Sequence, residues 1–427
     1  MVPHLTTALS GPINELEQRV LESMPAIERW FRLEWMEHTP TFYASVDLRN
    51  AGYKLAPVDT NLFPAGFNHL SEEVLPLAVQ AAMAAIEKIC PEAKNLLLVV
   101  QRRQPDSFYL SHLLTLVRIF TMAGLNVRLG TLDETVQEAQ TLRLADGRSL
   151  QIEPVLRQRS RIGLKDFDPC TILLNDDLSA GIPDRLRALH EQYLLPPLHA
   201  GWPLRRKRHH QQAYEEVCKR FAKLLGMDPW LLVPATVAQQ QVDLNQAQHV
   251  QALQAQVDVV LSRTRRKFKD YGIQENAFVA IKPDAASCSD CVLMVRDAKD
   301  LPEILARHGA STRLPQGPCD LIVQEGIPSY ERIHDTVAEP VVCLMDRFVV
   351  GGYYRVHAGR QENEALNVPG ARYVPLAFAQ GAQLPRPGET PGVSAPNRFY
   401  MYGVVARLAM LAASYELEAT DPEAEEL

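Results

Sequence analysis

The sequence has no uninterrupted apolar run of the roughly 20 residues that a membrane-spanning helix requires. It also lacks the apolar core of a signal peptide near its start, because Pro3, His4, Pro12 and Asn14 interrupt that region. We therefore expect a cytoplasmic protein with no membrane partner. The formal net charge of −7 gives no reason to expect nucleic acid as a partner, although basic residues cluster locally.

A disulfide framework is not expected either, because the seven cysteines are odd in number and scattered along the chain. Cys288 and Cys291 form a C-x-x-C. The helix that a redox motif would open and the second pair that a zinc knuckle needs are both missing. A redox or metal role is one interpretation of this pair, and two small residues filling a loop is the favoured one.

The N-terminal half alternates strand-like apolar runs with helix-like stretches. Residues 96–100, 125–129 and 171–174 predict buried strands, and residues 107–123 predict a helix between the first two. Strands and helices that alternate at this spacing predict an α/β domain with a mainly parallel sheet. The polar segment 175–183 follows the last of these strands, where open α/β sheets place ligand-binding loops.

A polar segment at residues 45–70 reads SVDLRNAGYKLAPVDTNLFPAGFNHL. We predict a short strand at 46–48 and an ordered loop for the rest, because Asn, Pro, Gly and Asp are dense there. Loops of this length inside a compact domain are usually functional or disordered, and the aromatic and apolar content opposes disorder. A structural Ω-loop remains one interpretation. The other is a substrate-contacting loop that presents Arg49, Lys54, Asp59 and Asn61.

Two further stretches are rich in cations. Residues 201–210, GWPLRRKRHH, begin a helix that we predict to continue to about residue 225. The basic cluster is interpreted either as a solvated face or as an anion site for phosphate or carboxylate. Residues 236–270 predict one long Gln-rich helix whose basic end complements the helix dipole.

From residue 277 the pattern becomes strand-rich, and a boundary near Gly272 divides the chain into residues 1–272 and 273–427. The stretch AFVAIKPDAASCSDCVLMV predicts a strand, a loop and a second strand, with Lys282 where the first strand ends. A lysine beside unpaired backbone donors is the arrangement of a phosphate cradle. The loop between the strands contains no glycine.

Several motifs in order along the chain resemble one family. They are the 45–70 segment, NDDLSAGIP from 175, GW-x-x-RRK from 201, DPW from 228 and DRFVVGGYYRVH from 346. Together they are similar to the proteobacterial glutamate–cysteine ligase family of the Thiobacillus ferrooxidans type, which is assigned to the ATP-grasp group. The resemblance covers nearly the whole chain. It implies an N-terminal α/β domain followed by an ATP-grasp-like module, and a ligase that joins the glutamate γ-carboxylate to the cysteine amine through an acyl-phosphate.

The resemblance also implies roles for individual residues, with ATP and magnesium as cofactors and glutamate and cysteine as small-molecule substrates; it leaves an oligomer open. Arg49, Lys54, Asp59 and Asn61 would face the amino acids. The implied nucleotide contacts are Lys282, Asp284, Gln324, Glu325 and Ile327. The implied magnesium ligands are Asp346, Glu364 and Asn367, with Arg347 and Arg355 as clamps on phosphate or carboxylate. A local Asp346–Arg347 ion pair and a surface position for Glu364 are the alternatives.

The chain departs from the family pattern at three places: the glycine-free loop, the segment 101–107, and Glu364-Ala365-Leu366-Asn367, where an amide ligand is replaced. Side chains in the loop limit how closely the backbone approaches phosphate, and Asp290 repels it. We therefore expect lower ATP affinity or turnover than in glycine-bearing relatives. The alternative function is a catalytically impaired homologue that binds an amino acid or a partner protein.

Overall fold

The computed structural model describes residues 5–6, 11–101, 106–285, 291–308, 317–376 and 398–422. The stretch 381–396, whose proline and glycine content predicts a loop, lies outside this part of the chain. No helix within it is long and apolar enough to span a membrane. The described residues combine helices with several sheets, as expected for an α/β protein.

The α-helices of the described residues number eight. They are α1 (Pro12–Glu22), α2 (Met24–Glu37), α3 (Leu75–Ile89), α4 (Ser107–Met122), α5 (Lys207–Leu225), α6 (Ala247–Asp270), α7 (Leu301–His308) and α8 (Phe399–Ala419). Helix α8 is buried on nearly all sides, because its sequence is apolar around the whole circumference. It packs against α5 and the strands of the largest sheet, and so holds these elements together.

The strands of the described residues number nineteen. They are β1 (Leu5–Thr6), β2 (Tyr43–Asn50), β3 (Leu55–Asn61), β4 (Asn95–Val100), β5 (Asn126–Thr131), β6 (Gln140–Arg143), β7 (Ser149–Pro154), β8 (Leu156–Gln158), β9 (Arg161–Gly163), β10 (Thr171–Leu174), β11 (Tyr193–Leu195), β12 (Thr236–Val242), β13 (Val279–Pro283), β14 (Leu293–Val295), β15 (Cys319–Glu325), β16 (Arg332–Ile333), β17 (Thr336–Met345), β18 (Phe348–Val356) and β19 (Arg372–Pro375).

A six-stranded sheet in the order β11-β10-β4-β5-β7-β6 is parallel except for its last strand. Its central strands β4 and β10 are apolar except for their first residues, and their alternate side chains enter two different hydrophobic clusters, so both faces are covered. The predicted parallel sheet is therefore present. The short strands β6 to β9, which the apolar pattern did not reveal, extend or flank it and are more exposed than the central strands.

A seven-stranded antiparallel sheet is built around β17. The strands β1-β16-β17-β18-β19 follow one another, and the hairpin of β2 and β3 adds to β17. This corrects the expected loop at 45–70, most of which is a hairpin. Pro57 and the bulge between Asp47 and Leu48 hide the strand pattern in the sequence.

A four-stranded antiparallel sheet has the order β12-β15-β13-β14. Strand β12 covers 236–242, which we expected to begin a long helix; the helix α6 starts only at Ala247. Strand β2 pairs with β17, and strand β12 pairs with β15, so both pair with strands of the C-terminal part. The proposed division at residue 272 therefore does not separate the sheets, because pairing between distant segments is invisible in local sequence.

Candidate active site

A cleft lies between one face of the seven-stranded sheet and one face of the four-stranded sheet. Its volume, including the open mouth, is about 810 Å³. Residues of β2, β3, β13, β15 and β17 line it. The N-terminal end of α5 and the segment 365–367 complete the wall. These elements come from both ends of the chain, so the cleft exists only in the folded protein.

The floor of the cleft is a charged sheet face. Strand side chains alternate between the two faces. Asp47 and Arg49 therefore share one face of β2, and Asp47 lies directly opposite Asp59 on β3. Glu339 on β17 lies opposite Arg355 on β18 in the same way. The other face carries Val46, Leu48, Val342 and Leu344, which belong to the main hydrophobic core.

The roof of the cleft is a mainly apolar sheet face. Phe278, Ala280 and Lys282 follow one another at alternate positions along and just before β13, and all three line the cleft. Ala280 pairs with both Met294 and Gln324. The alternate residues Val279 and Ile281 instead enter the main core. The cleft therefore has an apolar end suited to a flat aromatic ring, and Lys282 ends the roof at the charged side.

Lys207 opens α5 at the edge of the cleft, and its Nζ atom is 2.8 Å from Oδ1 of Asp59. The preceding turn is anchored because Arg205 contacts both carboxylate oxygens of Glu416, at 2.9 and 3.0 Å. Arg205 also donates to the carbonyl of Thr60. These buried contacts fix the start of α5 against β3. The basic cluster is therefore in part an element of the cleft, as its anion-site interpretation requires.

Lys282 and Asp59 are electrostatically linked. Nζ of Lys282 donates to the carbonyl oxygen of Val58 at 2.8 Å, and the side chain is only 9% exposed. Burial, and next the charge of Lys207, lower the pKa of Lys282 to about 7. Burial opposes the ionisation of Asp59. The positive charges of Lys207 and Lys282 outweigh this effect and hold the pKa of Asp59 below the ordinary value for an aspartate. The positive charges of Lys282 and Lys207 repel each other, so an anion that enters beside them would stabilise both.

Two arginines and two carboxylates form a buried network across the floor. Nη1 of Arg355 lies 2.8 Å from Asp47 and 2.6 Å from Glu339, and Nε of Arg49 lies 3.0 Å from Glu339. Burial raises the pKa of Asp47, and the charge of Arg355 offsets this only in part. Arg49 also donates to the carbonyl oxygens of Ile327 and Glu364. It thus ties the floor to the rim of the cleft.

A second, smaller cavity adjoins the first and shares Asp47, Asp59 and Asn367 with it. Arg355 and Asn61 add polar groups. Its aromatic wall consists of Phe108, Tyr353 and Tyr373. The rings of Phe108 and Tyr373 lie 5.4 Å apart, and those of Tyr353 and Tyr373 lie 5.6 Å apart in an edge-to-face arrangement. A ligand in this cavity would meet the charged end of a ligand in the larger one.

Gln324 carries a buried hydrogen-bond donor that has no partner in the protein, which indicates a place for a ligand. Its side chain is 2% exposed, lines the larger cavity and leaves Nε2 without a hydrogen-bond partner in the protein. Buried amide groups are nearly always paired, and an unpaired one costs about 1–3 kcal/mol. A polar acceptor inside the cavity would satisfy it. The expected contact of Gln324 with the nucleotide stays a prediction.

Lys54 does not line either cavity, which corrects its expected place among the substrate contacts. It is 0% exposed, and its Nζ atom lies 2.8 Å from both Oε2 of Glu325 and the carbonyl oxygen of Val233. Glu325 also accepts hydrogen bonds from Nε1 of Trp230 and the backbone of Ala235. Glu325 borders the larger cavity, but its carboxylate oxygens are already bonded to Lys54, Trp230 and Ala235. Both side chains therefore hold the fold beside the cleft.

Asp284 also lies outside the cavities, although we expected it to contact the nucleotide. It is fully buried and accepts hydrogen bonds from the backbone and guanidinium of Arg208. Its own carbonyl oxygen accepts a hydrogen bond from the backbone of Lys207. Asp284 thus attaches the start of α5 to the end of β13, and through that contact it positions Lys207 beside Lys282.

Asp346 and Arg347 occupy the turn between β17 and β18, at the opposite end of that hairpin from Glu339. Seven residues of extended chain place them about 20 Å from the charged network. Asp346 is paired with Lys88 at 3.0 Å, and Nε of Arg347 lies 3.9 Å from Asp346. This corrects their expected roles as metal ligand and clamp. The alternative interpretation as a local ion pair agrees with the structure.

Of the other two expected magnesium ligands, Glu364 lies outside the cavities and Asn367 lines them. The carboxylate of Glu364 accepts hydrogen bonds from Arg360 and the backbone of Gln361, and the residue does not line either cavity. Asn367 lines both cavities. The described residues contain no group of three or more His, Cys, Asp or Glu side chains arranged to hold a metal by themselves.

The structure therefore brings together Arg49, Asp59, Asn61, Lys282, Gln324, Ile327, Arg355 and Asn367 among the predicted site residues. Sequence reasoning missed Asp47, Lys207 and Glu339. Asp47 lay inside the conspicuous 45–70 segment and Lys207 inside the basic cluster, so both had a signal. Glu339 lies in an apolar strand and had none. Residues 286–290 of the glycine-free loop lie outside the described part, as do residues 102–105 of the divergent segment 101–107. The loop's expected effect on ATP stays a prediction.

Comparison with known proteins identifies relatives along the whole chain. The family model described as glutamate-cysteine ligase matches residues 17–417. The crystal structure of a provisionally named gamma-glutamylcysteine synthetase from Methylobacillus flagellatus KT is 46% identical. The match covers 99% of this chain and 100% of that one, with a TM-score of 0.91. No curated protein sequence matches this chain.

Two more distant structures are similar at 10% identity. D-alanyl-alanine synthetase A of Vibrio cholerae matches over 74% of this chain and 81% of its own, with a TM-score of 0.31. A glutathione synthetase-like effector of Globodera pallida matches over 85% of this chain and 84% of its own, with a TM-score of 0.39. At these scores neither resemblance adds to the assignment.

Proposed function

The chain belongs to the glutamate–cysteine ligase family, and we propose that the cleft between its two sheets is where ATP drives the joining of the glutamate γ-carboxylate to the cysteine amine. The assignment of this reaction to the cleft rests on one observation, the pair of adjoining cavities. One has an apolar end and a cationic end, and the other has a charged floor and an aromatic wall. The alternative of an impaired homologue has no support from the relatives.

ATP would lie in the larger cavity with its adenine at the apolar end. Phe278, Ala280 and Met294 offer apolar surface to the ring, and the unpaired Nε2 of Gln324 offers a hydrogen bond to one of its nitrogens. The triphosphate would then extend toward Lys282 and Lys207, whose positive charges complement phosphate oxygens. This assigns Lys282 the phosphate contact that the sequence predicts and adds Lys207 to it.

The amino-acid substrates would occupy the smaller cavity. Asp47 and Asp59 can accept from an α-ammonium group, and Arg355 faces the same space and can donate to a carboxylate. Since the two cavities share Asp47, Asp59 and Asn367, the glutamate γ-carboxylate can meet the terminal phosphate at that junction. Asn61 also lines this cavity. Its amide oxygen accepts from the backbone of Phe63 at 2.9 Å, which leaves its NH₂ group facing a substrate.

Magnesium fits the oxygen ligands at this junction. Asp47 and Glu339 both contact Nη1 of Arg355, so their carboxylates approach a common point, and Asn367 adds an amide oxygen. Mg²⁺ is usually held by one or two carboxylates together with substrate phosphates and waters, which makes a complete protein cage unnecessary. When bound there, the ion would neutralise charge on the phosphates. We propose Asp47, Glu339 and Asn367 as its ligands in place of Asp346 and Glu364.

The chemistry then follows from positioning and charge. The γ-carboxylate oxygen of glutamate attacks the terminal phosphorus, ADP leaves, and an acyl-phosphate forms. The cysteine amine attacks the acyl carbon, inorganic phosphate leaves, and the nitrogen loses its proton. Lys282, Lys207 and Arg355 stabilise the charge that develops on the phosphoryl oxygens, and such electrostatic terms usually dominate phosphoryl transfer.

The direct test is ADP release by the purified chain with magnesium. We expect sustained release only when glutamate and cysteine are both present, with formation of one dipeptide for each ADP. Asp47→Asn should lower this rate strongly, since it removes a charge at the junction of both cavities, whereas Asp300→Asn changes an exposed carboxylate and serves as the control. ADP release that is independent of the amino acids would contradict the proposal.

ATP affinity should weaken as the pH rises above 7. The pKa of Lys282 lies at about 7 in the free protein, so the lysine loses its charge above that pH, while bound phosphates favour the charged form. Binding therefore takes up a proton, and the Kd for ATP should increase roughly tenfold between pH 7 and 8.5. Calorimetry at a series of pH values measures this.

The matched control for that experiment is Lys282→Arg, because a guanidinium stays charged throughout the range. In this variant the Kd should vary little between pH 7 and 8.5, whatever its absolute value. An equal pH dependence in the variant and the parent would show that Lys282 does not titrate on binding.

Gly326→Ala should weaken ATP binding at the adenine end. A Cβ at this position would lie 2.2 Å from ring atoms of Phe278, so the ring would have to move. Phe278 is part of the apolar wall, and its displacement would narrow the space for adenine. We expect a Kd for ATP raised about tenfold, with KM for glutamate unchanged. Gly359→Ala tests for general effects of an added methyl group, because this exposed glycine is not in the left-handed region and a Cβ there would make only ordinary contacts with His357, at 3.5 Å or more.

A further inference from the structure

Two cysteines at the amino-terminal edge of the six-stranded sheet lie against each other. Cys90 follows the last residue of α3, and Cys170 immediately precedes β10. Their Sγ atoms are 3.1 Å apart, and both side chains are half-buried. The backbone holds each in place, since the amide of Cys90 donates to Ile86 and the carbonyl of Cys170 accepts from Tyr193. A disulfide bond of about 2.05 Å needs an approach of only about 1 Å.

We propose that Cys90 and Cys170 form a reversible intramolecular disulfide by exchange with low-molecular-weight disulfides such as glutathione disulfide. In the first step one protein thiolate attacks a sulfur of the small disulfide, whose S–S bond breaks and releases one thiol. In the second step the other protein thiol loses its proton and attacks the protein sulfur of the mixed disulfide, which releases the second thiol. Overall the protein loses two protons and two electrons, and the small disulfide gains them.

The surroundings favour completion of the second step. The neighbouring sulfur is already in contact, so the mixed disulfide is resolved faster than a second small molecule can react. The S–H hydrogen bond between the two cysteines, followed by burial, raises the pKa of Cys90. The first step should therefore accelerate as the pH rises, because the thiolate is the attacking species. The described part of the chain also contains Cys319, a half-buried thiol outside this pair.

The cross-link would act on stability and leave the cleft untouched. It would join the end of α3 to the start of β10 and close a loop of about 80 residues, which restricts the unfolded chain. Helix α3 also packs on β17 and β18, so the bond would couple the six-stranded and seven-stranded sheets. The carboxyl end of β10 faces Tyr43 and Pro64, whereas the cysteines lie at its other end.

The experiment treats the full chain with glutathione disulfide at pH 8 under native conditions, followed by alkylation, proteolysis and mass spectrometry. We expect a cross-linked peptide pair that contains Cys90 and Cys170, and a melting temperature raised by several degrees until dithiothreitol is added. Peptide mapping distinguishes this bond from any linkage of Cys288 and Cys291. Neither readout requires substrate, so the result is independent of the proposed ligase function.

Cys90→Ser and Cys170→Ser should each abolish the cross-link and the thermal shift, and the remaining cysteine should carry one glutathione. Cys319→Ser is the matched control and should retain both effects. Stable glutathione adducts on Cys90 and Cys170 of the parent chain, or a thermal shift that persists in Cys90→Ser, would overturn the proposal.

Discussion

Replacing Lys282 by Met should lower kcat/KM for ATP by roughly 10²- to 10³-fold, the usual effect of removing one group that stabilises a developing charge. Lys282 ends the strand β13 inside the cleft, and its Nζ atom faces the space in which the triphosphate would lie. Met has a similar length and no charge, so the packing of the stem is retained. Steady-state ADP release at saturating glutamate and cysteine measures the change.

The fold of this variant should remain intact. A buried lysine with a lowered pKa is poorly solvated in its charged form, so its loss does not weaken the core. We expect a melting temperature equal to or slightly above that of the parent. Lys299→Met, at an exposed site near the same sheet, should leave both quantities unchanged. Full activity in Lys282→Met would remove the proposed phosphate contact.

Replacing Lys54 by Met should act on stability and not on substrate recognition. The change leaves Glu325 charged and buried beside the apolar core, and removal of one partner of such a pair costs about 3–5 kcal/mol. The melting temperature should fall by several degrees. KM for glutamate, measured on the folded fraction, should stay near the parent value because Lys54 does not line either cavity.

A second substitution separates the buried charge from other causes. In Lys54→Met/Glu325→Gln the uncharged amide oxygen can still accept from Trp230 or the backbone of Ala235. Part of the lost stability should therefore return, and the double-mutant cycle gives the coupling between the two side chains. Lys94→Met, at an exposed site, should change the free energy of unfolding by less than about 0.5 kcal/mol. A large rise in KM for glutamate with unchanged stability would contradict our interpretation of Lys54.

Local sequence determined much of the parallel-sheet half of the protein. The continuous apolar runs at β4 and β10 predicted buried strands, and the periodic stretch before Ala123 predicted α4. Each of these elements is covered on the side that its own pattern indicates, so no distant partner is needed to recognise it. The long motifs likewise indicated the glutamate–cysteine ligase family, which the family model confirms.

Position along a strand also predicted one group in the cleft. Lys282 follows an apolar run and precedes a polar loop, and this pattern places its charge near the end of a strand. Its place opposite Lys207 and Asp59 could not be predicted, because these residues are more than 70 positions away in the chain. The lowered pKa of Lys282 depends on its burial in the cleft and on the nearby charge of Lys207.

Only the tertiary structure decided which charged residues share the cleft. Arg49 and Lys54 are close in sequence and equally polar, yet Arg49 lies on the cleft face of β2 while Lys54 is turned into the core against Glu325. Glu339 contacts Arg49 and Arg355 because β17 pairs with β2 on one side and β18 on the other. Strand register sets the face of every side chain, and register between distant strands depends on long-range pairing that no local pattern encodes.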